Sequence, residues 1–273
     1  MSLQNTDDFL TIVTGASSGL GAATAHKLAL EGRRVLTLQR RPPENVMRDG
    51  YRYPIEFMEV DLYDHGAIDQ VTQIIKQKYQ VGYLVNNAGV NRPGSIEAVN
   101  EDDLDAVWQL NIKAPIQLIQ AFLPQMKANR FGRIVNISSR AILGKTERIA
   151  YVSSKMGVVG LTLSLSLEVA PFGITVNVVA PGPVETELFT RGHPVGSERR
   201  AFVIDSVPMK RLGTPEDIAR SISFFLAKLV ANQLSQGRSR LPYGNELPVL
   251  RLFFSKTRSR CIPSSINFFG SLT

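Results

Sequence analysis

The chain reads as an α/β protein, a doubly wound parallel sheet with helices on both faces. Three observations predict this. Short apolar runs rich in β-branched residues alternate with longer stretches of helical period. The apolar runs are near-continuous rather than strictly alternating, so both faces of the sheet are expected to be covered. A glycine-rich turn lies directly between the first run and the first helical stretch.

Six runs supply the strands: "FLTIVTG", "RRVLTLQ", "IEFMEVD", "GYLVNNAG", "GRIVNIS" and "ITVNVVAPG". Apolar residues recur at three- and four-residue spacing over 20–30 and 68–79, and longer helices are expected over 104–126 and 153–170. Two further helices are expected at 199–208 and 215–228. Thr214 caps the second, Pro215 fits its first turn, and Glu216 and Asp217 lie at its positive end. The mixed composition of 182–208 has no sheet-like period and is expected to lie over the site as a lid. In a doubly wound sheet that site lies beyond the carboxyl ends of the strands.

At 273 residues the chain can bury a substantial core, and residues 1–236 are expected to form one catalytic domain. The formal charge of +7 is uneven. Residues 237–273 carry six basic residues against one acid, so +5 belongs to this tail and +2 to the rest. The tail lacks a reader helix or a zinc pattern, and no nucleic-acid partner is expected. His26, His65, His193 and the single Cys261 form no cluster with ligand spacing, so no metal is expected. One cysteine suits a reducing compartment. "MSLQNTDDFLTIVTG" does not read as a signal peptide, and no run approaches about eighteen uninterrupted apolar residues. A cytoplasmic location without a membrane partner is the expectation.

"TIVTGASSGLGAATAHKLA" places Gly15, Gly19 and Gly21 between strand and helix. Gly15 permits a tight turn, and the later glycines let the backbone approach a phosphate at a helix N-terminus. With Ser17, Ser18 and Leu20 they are the expected dinucleotide contacts of a Rossmann-type fold. A carboxylate ending the second strand would bind a ribose 2′-hydroxyl and repel a 2′-phosphate. "VLTLQRR" ends instead in Gln39, Arg40 and Arg41, so NADP(H) is preferred over NAD(H). Asp61 can accept a bond from an adenine amino group with Leu62 beside it. Asn87, Ala88 and Gly89 form a small-residue loop across which the nucleotide can lie.

"RIVNISSR" ends in Ser138 and Ser139, and Tyr151 follows Ser138 by thirteen residues, with Lys155 four further on. Residues four apart share a helix face, so the phenol and the ammonium can enter one site. A phenol titrates near about 10, and a neighbouring ammonium is expected to lower that value toward neutrality. A serine hydroxyl at this strand end is expected to hydrogen-bond the reacting oxygen, which fits carbonyl/alcohol interconversion with a nicotinamide moving the hydride. No histidine base or nucleophile elbow accompanies Ser138, which argues against hydrolysis. Asn111, inside an apolar helical run, is either a kink-stabilising residue or a link in a water-mediated proton path.

These motifs, "TGASSGLG", "NNAG", "LNIKAP", "NISS", "YVSSK", "VNVVAPGPVET" and "RLGTPEDIA", resemble the short-chain dehydrogenase/reductase family. Within it the chain is most similar to 3-oxoacyl-(acyl-carrier-protein) reductases, over residues 11–227. The resemblance implies that Tyr151 transfers the proton, Lys155 binds the nicotinamide ribose, Ser138 holds the substrate oxygen and Asn111 carries a water relay. It also implies carboxamide contacts from Val184 and Thr186 after Pro181 and Gly182, and a homotetramer or homodimer built through the long helices. The substrate would be a small-molecule ketone or secondary alcohol, including a carrier-linked thioester. Rival readings are a sugar, steroid or other secondary-alcohol dehydrogenase, a protein that binds NADP without turnover, and a nucleic-acid-associated protein acting through its tail.

The resemblance stops at the tail. A closing strand resembling "GQ-x-L-x-V-D-G-G" is absent, and 237–273 read as a divergent or frame-shifted terminus in which "VLRLFF" supplies one strand. Resequencing codons 226–240 tests this; an unchanged reading frame rejects the frame-shift.

Overall fold

Burial on both faces explains the character of the strands. In the computed structural model, which describes residues 9–43, 46–227 and 253–254, every residue of β1 (Leu10–Thr14), β2 (Val35–Gln39), β4 (Val81–Asn86) and β5 (Gly132–Ile137) is buried. With β3 (Glu56–Glu59), β6 (Ile174–Ala180) and β7 (Phe253–Phe254) they form one sheet in the order β3-β2-β1-β4-β5-β6-β7. All pairings are parallel. The sequence order reverses between β1 and β4, which opens a crevice beyond their carboxyl ends.

Alternation along each strand divides the core into two layers. Ile12, Leu36, Leu84 and Ile134 pack with residues of α2 (His65–Lys78), α4 (Ala114–Ala128) and α5 (Ile149–Val169). Val13, Val35, Val85 and Val135 turn the other way, onto α1 (Gly19–Leu30) and α8 (Pro215–Leu226). The result is the expected three-layer α/β/α architecture. α8 opens as its sequence suggests: Thr214 and Asp217 form a reciprocal capping box and Pro215 occupies the first turn.

Two elements differ from expectation. The helix expected over 104–126 is interrupted: α3 (Glu101–Trp108) runs into a π-helical turn at Gln109–Lys113 before α4 begins. The extra residue in that turn accompanies the anchoring of Asn111 outside its own helix. The segment 182–208 holds α6 (Glu187–Gly192) and α7 (Glu198–Asp205), each capped by a hydroxyl, Thr186 and Ser197 respectively.

The sheet edge beyond β6 is taken by two residues of the C-terminal segment 237–273. Phe253 and Phe254 pair in parallel with Val179 and Ala180, within the "VLRLFF" run. The other residues of 237–273, including Cys261 and the six basic residues, lie outside the described residues. α5 with its 3-10 extension, Ile149–Phe172, is long and apolar enough to cross a membrane by length and composition. Here one face of it lies against β5 and β6, where Val158 and Val159 pack on Val178.

Phe122 is fully buried in the layer between the sheet and α4. Phe122→Ala should lower the unfolding free energy by about 3–5 kcal/mol. Urea unfolding measures it, and a loss below about 1 kcal/mol would remove Phe122 from the core.

Candidate active site

The crevice begins at the glycine turn. Gly15 has φ +66°, and a Cβ there would stand 2.9 Å from the Ala88 Cα. At Gly21 a Cβ would meet the Gly15 carbonyl at 2.2 Å, so strand and helix close up only because both positions lack side chains. Ser18 is the N-cap of α1 and its side chain makes no capping bond, which leaves the first amides of the helix directed at the crevice. A cradle that excludes Cβ atoms, at an uncapped helix N-terminus, fits a dinucleotide pyrophosphate.

Thr14 and Asn87 brace this turn. The Thr14 hydroxyl accepts the amides of Asn87 (3.0 Å) and Ala88 (2.9 Å), while the Asn87 side chain donates to the carbonyls of Thr14 (2.9 Å) and Gly15 (3.0 Å). Asn87 therefore acts on the turn through its side chain, beyond lining the cleft. Gln39 adds a further brace, its Oε1 accepting the Ala16 amide at 3.0 Å. Nothing in the sequence marks Thr14 or Gln39 as a brace. Each looks like an ordinary strand residue until the neighbouring strand is in place.

A cleft of about 370 Å³ opens beside the turn. Gly15, Ser17, Ser18, Gly19 and Leu20 form one wall, and Asn87, Ala88 and Gly89 form its floor. At the far end stand Arg40 and Arg41, both exposed, with Asp61 and Leu62 opposite. Asp61 Oδ1 already accepts the Tyr63 amide at 3.0 Å, and Tyr63 joins the lining. Thr186 closes the near side. Gly21 sits beneath the turn, and Pro181, Gly182 and Val184 follow β6 without lining this cleft. Val184 is buried and bridges to Gly213. Between Val184 and Thr186, Glu185 bonds Arg200 of α7 and Thr190 of α6, so both short helices are tied to this loop.

The helix α5 presents Tyr151 and Lys155 on one face, as their spacing requires. Lys155 is buried and its Nζ donates to the Ile137 carbonyl at 2.8 Å, with the Tyr151 ring centroid 5.8 Å away. Burial depresses the ammonium to about 8. The expected lowering of Tyr151 is not found: burial pushes the phenol up, and a hydrogen bond from Ser139 acts against that rise. The Lys155 Nζ is directed to the Ile137 carbonyl, which leaves desolvation as the dominant influence on the phenol.

The serine expectation is corrected. Ser138 is buried and its hydroxyl donates to the Lys155 carbonyl at 2.8 Å, so it pins α5 to the end of β5. The hydroxyl that meets the Tyr151 phenol belongs to Ser139, whose Oγ also accepts the Ala141 amide at 3.1 Å. Adjacent residues in extended backbone point to opposite sides, so the two serines cannot share one task.

Asn111 is likewise fully engaged. Its Oδ1 accepts the Val90 amide (2.9 Å), and its Nδ2 donates to the Val90 carbonyl (3.0 Å) and to Ser154 Oγ (2.9 Å). The side chain thus clamps the π-helical turn to the "NNAG" loop and to α5. Ser154, which sequence spacing alone leaves as a spacer between Tyr151 and Lys155, is completely buried and donates onward to the Tyr151 carbonyl at 2.8 Å. Among the described residues no group of three or more His, Cys, Asp or Glu could hold a metal ion.

A parallel sheet with this order, a glycine cradle at the switch point and a Tyr–Lys pair beside it define a nucleotide-dependent oxidoreductase. A family model described as short chain dehydrogenase matches residues 10–194, and the chain belongs to that family. It is 33% identical over 219 residues to the 3-oxoacyl-[acyl-carrier-protein] reductase of Thermotoga maritima, covering 78% of this chain and 88% of the relative. It is 34% identical over 231 residues to the (2S)-[(R)-hydroxy(phenyl)methyl]succinyl-CoA dehydrogenase subunit BbsD of Thauera aromatica, covering 82% and 90%. Among solved structures, a putative NAD(P)-dependent gluconate 5-dehydrogenase from Beutenbergia cavernae with bound NADP superposes with a TM-score of 0.75 at 33% identity, covering 82% and 91%.

Burial of Lys155 has a stability consequence. Its folded value, about 8, lies below the ordinary 10.5, so between these the unfolded chain holds more protons. The wild type should therefore gain stability relative to Lys155→Met as pH rises from about 8 to about 10, with no such trend below. Urea midpoints at each pH read this. A difference independent of pH would mean that Lys155 is not desolvated.

Proposed function

We propose that the protein interconverts a ketone and a secondary alcohol, with NADP(H) preferred over NAD(H). The observation that carries this reading is the convergence of Tyr151, Ser139 and Lys155 beside a cradle whose ribose end holds Arg40 and Arg41. Ser17, Ser18, the glycine turn, Asp61 and Leu62 would hold the nucleotide, and Val184 and Thr186 its carboxamide end. When bound, the nicotinamide supplies or accepts the hydride. Tyr151 exchanges a proton with the substrate oxygen, and Ser139 orients that oxygen by donating a hydrogen bond. Lys155 bonds the ribose, while Asn111 and Ser154 fix the turn through which protons return to solvent.

A 3-oxoacyl thioester is the substrate class favoured by the acyl-carrier-protein reductase relatives. A sugar-acid secondary alcohol is the second reading, supported by likeness to the gluconate 5-dehydrogenase and to a putative 2-deoxy-D-gluconate 3-dehydrogenase at 32% identity. A homodimer or homotetramer through α5 fits the exposed stripe of Met156, Leu163 and Leu167 on its outer face. The single cysteine fits cytoplasmic residence.

Absorbance at 340 nm with NADPH or NADH against a ketone panel, including acetoacetyl thioesters, tests the activity; no oxidation of either cofactor and no reverse reaction on alcohols overturns it. Tyr151→Phe should lower kcat by at least about 100-fold while NADPH binding stays within about threefold. Ser139→Ala should lower kcat by about 10-fold to 100-fold, whereas Ser138→Ala should chiefly lower stability. A stable Ser138→Ala enzyme that has lost turnover would reverse the serine assignment. Arg40→Ala with Arg41→Ala should raise KM for NADPH about 10-fold or more and spare NADH.

A further inference from the structure

Three cations converge at one rim of the reacting groups. Arg140 directly follows Ser139, and its amide donates to the Pro181 carbonyl at 2.8 Å, which fixes it where β5 and β6 end together. Arg148 caps α5 three residues before Tyr151. It bridges to Gly94, whose amide donates to the Glu147 carbonyl at 3.0 Å, so the loop 144–148 is held against the loop after "NNAG". Lys145 lies between the two arginines in the chain. Its ammonium is depressed, first by partial desolvation and then by the guanidinium groups of Arg148 and Arg140, so Lys145 lies in the field of both arginines.

The three cations are not paired with the acids around them. Among the described residues Arg140, Lys145 and Arg148 enter no ion pair, and Glu147, the one acid between Arg140 and Tyr151, enters none either. In the facing segment Glu97 is turned to its own backbone and to Ser95, and Asp103 is engaged by Arg92 at 3.7 Å. Among the described residues the Arg148 guanidinium donates to the Glu147 carbonyl alone, at 2.7 Å. Glu147 adopts φ 56°, in the left-handed region, so the loop holds a conformation ordinary side chains avoid while presenting like charges together. Self-repulsion of this kind is relieved when an anion enters.

We propose that Arg140, Lys145 and Arg148 form an anion subsite at the mouth of the substrate site, so that the ketone reduced here carries a carboxylate or phosphate group. The guanidinium groups suit either oxyanion through paired N–H donors, with Lys145 as a point charge. The substrate-class part of this statement rests on the proposed ketone chemistry; the subsite itself does not.

Two measurements separate them. In the first, kcat/KM with NADPH is compared for paired ketones differing in one charge, 4-oxopentanoate and its methyl ester, and a keto-sugar with and without a phosphate. The wild type should favour the charged member, and Lys145→Ala with Arg148→Ala should cut that ratio by at least about 10-fold. Arg148→Lys should keep most of it. An equal ratio in wild type and variant overturns the proposal, as does a preference that appears only when the ketone is linked to an acidic carrier protein. In the second, needing no turnover, inorganic phosphate is titrated by thermal shift against chloride at matched ionic strength. The wild type should gain a stabilisation that the double variant lacks. Equal shifts in both proteins would overturn the subsite even if ketone reduction fails.

Discussion

The junction of β1 with β4 through Thr14 and Asn87 is the constraint on which the site depends. These are the neighbouring strands between which the sheet reverses its order, and beyond their last ladder pair, Val13 with Val85, side-chain hydrogen bonds join their ends. One hydroxyl accepting two amides, and one amide donating to two carbonyls, hold the glycine turn and the "NNAG" loop at a fixed separation. Buried polar groups in such a position are costly unless satisfied, and satisfied they specify a single arrangement. The shape of the nucleotide cleft follows from this clasp.

A second polar system carries that order into the catalytic helix. Asn111 joins the loop at Val90 to Ser154 of α5, Ser154 joins Tyr151, and Ser138 joins Lys155. Deeper in the core, Asn86 donates to Asn136 at 2.8 Å and Asn136 donates to Thr162 at 2.9 Å, linking β4, β5 and α5. The proton-transfer groups thus sit on a helix whose position is set by several bonds to strand ends and not by apolar packing alone. Apolar contacts tolerate small slides; hydrogen bonds with fixed geometry do not. The interrupted α3–α4 helix belongs to the same system, since the π-helical turn at Gln109–Lys113 is where Asn111 leaves its helical neighbours to bond elsewhere.

Electrostatics at the site is dominated by desolvation. Burial pushes Tyr151 up and Lys155 down, so in the bare protein desolvation shifts each side chain toward its neutral form. A site poised in this way responds strongly to any polar group that enters beside it. The rim formed by Arg140, Lys145 and Arg148 adds a positive field at the mouth, in contrast to the near-neutral charge of the first 236 residues taken together. At the sheet edge beyond β6, Phe253 and Phe254 add a two-residue strand in parallel register.

Much of this was legible in the residues themselves. Period and composition determine the layers, since strands buried on both faces must be apolar throughout; the glycine spacing determines the cradle, since Gly15 and Gly21 stand where a Cβ collides with backbone. The four-residue spacing of Tyr151 and Lys155 determines their common face. What the tertiary structure alone decided is which neighbours these residues meet. Ser138 and Ser139 are indistinguishable as letters, yet extended backbone sends them to opposite sides, one to the Lys155 carbonyl and the other to the Tyr151 phenol. Ser154 looked like a spacer because its partner Asn111 lies forty-three positions earlier in the chain. Local spacing determines direction along one element, whereas a hydrogen bond between elements exists only once the sheet has brought them together.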